Sequence, residues 1–229
     1  MKCAIHQPQF VPWLGYLNKI NSADVFVFLD NVQYHKNEWQ NRNRICTPKG
    51  AHWFTVPVSY KFGDHINRVV PASHVPWQDK LWRTLEHQYA KAPYFGAYRE
   101  DINALLHAEW SNLAELNIAT VEWLMKCFAI ATPTHVCSTL PAFIDHRTQR
   151  LVEICQHVGA DVYLSGAQAK DYLDVARFEA AGLSVEFQDY THPTYDQVHD
   201  ANGFVSHLSA LDALFQCGGG EEARDRLNL

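Results

Sequence analysis

The sequence predicts an α/β protein: a mainly parallel sheet flanked by helices, with a β-hairpin and a helical insertion in the middle of the chain. Three observations carry this. Residues 2–30 run strand, loop, helix, strand, the order of a βαβ unit. The second of those strands, DVFVFLD at residues 24–30, is an unalternating apolar run of the kind produced by a sheet covered on both faces. After residue 133, strand-like and helix-like segments alternate again. With 229 residues, 47% of them hydrophobic and 19% charged, the chain can bury one sizeable core, and residues 1–229 read as a single domain.

Taken in order, residues 2–6 (KCAIH) read as a strand and residues 13–21 as a helix, separated by a loop that Pro8 and Pro12 stiffen. Residues 43–58 change character: RNRIC, the turn TPKGA and HWFTVPV make a hairpin, with Pro-Lys-Gly as its turn signal. The helical insertion covers about 76–130. Its three periodic segments, WQDKLWRTLEHQY, PYFGAYREDINALL and LAELNIATVEWLMKCF, are divided at Pro93 and near Ser111. PTHVCST (133–139) reads as a strand. Residues 146–157 form a helix with Leu151, Ile154, Cys155 and Val158 along its apolar face. A short strand at 161–164 runs straight into SGAQAKDYLD, residues 174–181 form a helix closed by Gly182, LSVEFQDY is a strand, and SHLSALDALFQCGGG is a helix. The tail at about 221–229, EEARDRLNL, is strongly charged and is expected to be mobile.

The formal charge of −6 leaves no basic footprint for nucleic acid. The longest apolar run, IATVEWLMKCFAIA, is broken by Glu122 and Lys126, so no membrane insertion is expected. Six scattered cysteines (Cys3, Cys46, Cys127, Cys137, Cys155, Cys217) form no CxxC pair, and no leader pattern is present. Both readings fit free thiols in a reducing, cytoplasmic protein. Thirteen histidines include no HExxH or HxH, and His192, His199 and His207 lie in separate segments; neither a metal nor another cofactor is expected. Aromatic residues reach 13%, with seven Trp, an excess that suits pockets for sugars or bases.

Ligands of open parallel sheets bind beyond the carboxyl ends of the strands. That rule selects His6-Gln7, Asp30, Ser165-Gly166 and residues 188–190. A neutral His6 could be a general base or acid, the alternative being an imidazole satisfied by a backbone carbonyl. Gln7 would orient a ligand. Trp13 and Tyr16 fall on the first turn of the helix, where free N–H groups favour anions, whereas Lys19 reads as a solvated charge. In QYHKNEWQNRNRI (33–45), Trp39, Asn41, Arg42 and Arg44 stand out. The two arginines alternate along a strand, share one side, and suit a phosphate or carboxylate; a salt-bridged hairpin edge is the alternative. Ser165, Gly166, Lys170 and Tyr172 form a third binding element, or simply a tight turn, with neither a Walker nor a GxSxG pattern. His6 and Asp30 are the first candidates for proton transfer, with Asp171 open as well, and no cysteine has the basic neighbour a nucleophile needs.

HQPQFVPWLGYLNKINSADVFVFLDNVQYHKNEWQNRNRI, with RLVEICQHVGADVYLSGAQAKDYLD and THPTYDQ…FVSHLSALDALF, resembles the WbqC-like family over nearly the full chain. The resemblance implies a bacterial cytoplasmic protein of O-antigen or other surface-polysaccharide biosynthesis. It suggests a transferase that acylates or aminoacylates a nucleotide-linked amino sugar from a thioester, with an acyl or aminoacyl carrier protein as a partner. Arg42 and Arg44 would then meet the diphosphate, Trp13, Tyr16 and Trp39 the base or sugar, and His6 or Asp30 the amine proton. Two other readings stay open: a nucleotidyltransferase-like enzyme, although the residues after His6 lack the second His of an HxGH loop, and a noncatalytic partner-binding protein of the same pathway.

Overall fold

The computed structural model describes residues 1–200 and 203–229. The chain opens with β1 (Lys2–His6), α1 (Leu14–Asn21) and β2 (Val25–Phe28). Two hairpins follow, β3 (Arg42–Thr47) with β4 (Gly50–Thr55) and β5 (Val58–Ser59) with β6 (Val70–Pro71). The helical insertion is α2 (Trp77–Tyr89), α3 (Phe95–His107) and α4 (Leu113–Cys127). The second half runs β7 (Thr134–Val136), α5 (Arg147–His157), β8 (Val162–Ser165), α6 (Val175–Ala180), β9 (Ser184–Phe187), α7 (Ala210–Cys217) and α8 (Gly220–Arg226).

Among the described residues, β7-β2-β1-β8-β9 form one all-parallel sheet. Numbered among themselves these strands lie in the order 3-2-1-4-5, a doubly wound arrangement. Strand residues alternate between two cores. Ala4, Phe26, Phe28 and Leu164 face α1, the inserted helices and α7. Cys3, Ile5, Val25, Val27 and Tyr163 face Ile154, Cys155 and Phe178 of α5 and α6. Burial on both sides is the reason VFVF shows no alternation.

The strand order reverses between β1 and β8. The β1–β2 ladder runs out to His6–Phe28, whereas β1–β8 pairing stops at Ala4–Leu164. Lys19 reaches into this divergence and its Nζ donates to the Ile5 carbonyl at 2.9 Å. Only 4% of Lys19 is exposed, so the solvated charge expected from sequence is a buried ammonium. Burial pushes its pKa down to about 8.

Two boundaries differ from expectation for physical reasons. Residues 206–209 are not helical, because the Ser209 N–H is taken by the Arg44 carbonyl of the hairpin and α7 starts only after it. The charged tail, read without a helix, carries α8, and Ala223 and Leu227, four residues apart on one face, are buried. The carbonyls of Asn228 and Leu229 accept hydrogen bonds from Asn18 and Asn21. The cysteines are all free, and no helix among the described residues is long and apolar enough to cross a membrane.

Candidate functional site

The loop after β1, residues 7–13, is fixed by side chains from distant parts of the chain. Asn117 of α4 donates to the carbonyls of Pro8 (3.0 Å) and Gln40 (2.7 Å). Gln40 Nε2 donates to Gln7 Oε1 at 2.6 Å. Asn43 Nδ2 donates to the Val11 carbonyl at 3.0 Å and Ser209 Oγ to the same carbonyl at 2.6 Å. Val11, β-branched and ahead of a proline, is held at φ +37°. A non-glycine residue there stores about 1–3 kcal/mol of strain and persists only where its surroundings over-determine it. The amides and the Ser209 hydroxyl supply that constraint.

His6 lies at the root of this loop. Its Nδ1 lies 3.0 Å from the Gln7 carbonyl, which can only accept, so Nδ1 carries the proton. The carbonyl-satisfied reading of His6 is thus correct for one nitrogen, while Nε2 has no hydrogen-bond partner among the described residues. Tyr16 forms the wall beside it, with ring centroids 4.9 Å apart and its hydroxyl donating to the same Gln7 carbonyl. Burial, with the Lys19 charge adding to it, lowers the His6 pKa to about 4. The imidazole is therefore neutral near pH 7, and Nε2 is an acceptor.

Arg42 and Arg44 project from one face of β3, as their alternation implied. Neither has a carboxylate within salt-bridge distance among the described residues, so the salt-bridged edge is not what the hairpin builds. The Arg42 guanidinium lies 3.8 Å over the Trp53 ring and Arg44 lies 5.6 Å from the Trp39 ring, the two indoles being 5.6 Å apart. One Nη of Arg42 donates to the Asn37 carbonyl and one of Arg44 to the His207 carbonyl, whereas both Nε atoms are buried with no protein partner. Trp39 also lines a small cavity of about 290 Å³ with Gln7, Gln9 and Gln40. Gln9 Oε1 is buried there without a partner.

Trp13 sits at the N-cap of α1 rather than inside its first turn. Its indole folds back over Gly15, where a Cβ would come within 2.2 Å of the ring. The same indole stacks on His207 at 5.2 Å and meets the Tyr190 ring edge-on at 5.7 Å. Trp13 is thereby linked to Arg44 through His207.

Other candidates are placed elsewhere. Asp30 is buried and accepts three hydrogen bonds: Ser138 donates through N (2.9 Å) and Oγ (2.5 Å), and Asn67 through Nδ2 (3.0 Å). These bonds tie the end of β2 to the turn after β7. Asn41 is buried and donates to the Val56 carbonyl. Ser165 is buried at the end of β8, and Gly166 has open space where a Cβ would stand. Lys170 lies 5.5 Å over the Phe187 ring and Tyr172 is 64% exposed. These four share the carboxyl edge with His6, but no hydrogen bond or ring contact joins them to the arginines.

Sequence reasoning missed Trp53, Gln9, Gln40 and His207. Trp53 was within reach, because a turn centred on Pro48-Lys49 sets Arg44 opposite Trp53. The others arrive through tertiary contacts.

Residues 7–224, from the clasped loop through α8, match the model of the WbqC-like protein family. The chain belongs to this family. A curated relative, an uncharacterized protein of Mycobacterium tuberculosis (Rv1507c), is 34% identical over 99% of this chain and 97% of its own length. No solved structure matches. The family match takes in both arginines, the loop after β1 and the β8 edge, and begins one residue after His6.

Proposed function

We propose that this WbqC-like protein is a transferase of surface-polysaccharide biosynthesis that moves an acyl or aminoacyl group from a thioester to a nucleotide-linked amino sugar. The observation that carries this reading is the pair of carboxylate-free guanidiniums held against Trp39 and Trp53 beside a polar cavity. Arg42 and Arg44 would take the diphosphate, and the indoles a flat base or a sugar face. In the reaction the sugar amine attacks the thioester carbonyl, a C–N bond forms, the C–S bond breaks, and the amine proton leaves through a base to the departing thiolate. His6 Nε2 is the available acceptor. An anion bound close by would raise its pKa from about 4 toward the working range. Asp30, with its oxygens already engaged, is assigned to structure.

Nucleotidyl transfer is the second reading, favoured by the 3-2-1-4-5 strand order with a histidine closing the first strand. Thermal unfolding against UDP- and dTDP-amino sugars, ATP or CTP with magnesium, and acyl thioesters separates the two. A ligand at about 100 times its Kd adds about 2.7 kcal/mol. Stabilisation by an amino-sugar nucleotide that disappears in Arg44→Ala supports the transferase. Stabilisation by ATP or CTP alone moves the assignment to nucleotidyl transfer, and silence from every ligand leaves a noncatalytic partner-binding protein.

A further inference from the structure

We propose that the groove between the β3–β4 turn and α2 is a second anion site, taking a ligand that carries a di- or triphosphate. The cavity holds about 760 Å³, within the range of small-molecule sites. Each wall carries at least one fixed cation: Lys49 comes from the hairpin beside His52, and Lys80 and Arg83 come from α2 beside His87. On the helix these three are spaced i, i+3, i+7 and share one stripe. Asp79, the carboxylate in the lining, is already engaged by His107 Nε2 at 3.1 Å.

Among the described residues, the charged groups of Lys49, Lys80 and Arg83 have neither a salt bridge nor a hydrogen bond. By contrast, Arg99, Arg150 and Arg177 are each paired with a carboxylate. Three uncompensated cations gather in one groove of a chain whose formal charge is −6. Such a cluster repels itself, whereas an anion between the walls would neutralise it. Cations on two facing walls suit a row of phosphates better than one.

This site is distinct from the one around Arg42. Residues directly opposite in the hairpin share a face, so His52 lies with Ile45 on one side and Trp53 with Arg44 on the other. The proposal therefore does not depend on the transferase reading.

Calorimetric titration of the full chain with sodium tripolyphosphate tests it. We expect binding that weakens with salt, and a loss of about tenfold or more in the double variant Lys80→Gln, Arg83→Gln. Both side chains are exposed, and circular dichroism checks that the variant stays folded. Arg42→Ala removes any binding at the arginine pair and should leave in place the component that the double variant abolishes. No tripolyphosphate binding at low salt, equal affinity in the double variant, or loss in Arg42→Ala instead would overturn the proposal. Binding of polyglutamate without tripolyphosphate would also overturn it, in favour of an acidic protein partner.

Discussion

The loops after β1 and β8 leave the same sheet edge on adjacent strands, yet they are built in opposite ways. In residues 7–13, Pro8, Phe10, Val11 and Pro12 are buried; Asn43, Asn117 and Ser209 hold the backbone from three other parts of the chain, and Gln40 holds the Gln7 side chain. In residues 166–174 most side chains are exposed, and the backbone bonds run mainly within the segment, from Ala169 to Gly166 and from Tyr172 and Leu173 to Ala169. The difference teaches that proximity to a sheet's carboxyl edge nominates a loop, while long-range hydrogen bonds decide whether it is preorganised. The first loop can hold a strained Val11 and fix the direction of Gln7, Gln9 and Trp13; the second has no comparable long-range clasp among the described residues.

Removing the clasp should have the largest effect. Asn117→Ala leaves two buried carbonyls without their donor, and at about 1–3 kcal/mol for each unmet group the protein should lose roughly 3 kcal/mol in urea unfolding. A loss below about 1 kcal/mol would mean that the loop is held by packing alone.

The next effect concerns pH. His6 titrates near 4 when folded and near 6.5 when unfolded. As pH falls through that interval the unfolded chain takes up a proton that the native state refuses. The His6 contribution to stability is therefore complete above about 6.5 and is lost progressively down to 4. His6→Gln should flatten this part of the stability–pH curve. Lys19→Met, by removing the neighbouring positive charge, should raise the His6 pKa in an NMR titration. An unchanged value would show that burial alone keeps the imidazole neutral.

The smallest effect is expected in the other loop. Lys170→Ala and Tyr172→Ala should each stay within about 0.5 kcal/mol of the native protein in the same urea experiment. A larger change would erase the contrast between the two loops.

Much of this could be read along the chain. Unalternating VFVF announced a sheet buried on both faces, and Arg42 and Arg44 were placed on one side by the two-residue period of a strand. The charged tail hid a helix, because its composition masks the spacing of Ala223 and Leu227. Lys19 misled for a related reason: a lysine on a short helix reads as solvent-facing until the divergence of β1 and β8 leaves the Ile5 carbonyl for its ammonium.

By itself the sequence determined the α/β class, the family, the hairpin and the placing of Arg42 and Arg44 on one strand face, since these follow from local period, turn chemistry and side-chain type. The tertiary structure alone decided which of them meet. Asn117 reaches Pro8 across 109 positions and Ser209 reaches Val11 across 198. Asp30 accepts a hydrogen bond from the Ser138 hydroxyl, 108 positions away. No local pattern encodes such pairings, because they depend on how the crossovers stack helices on the two faces of the sheet.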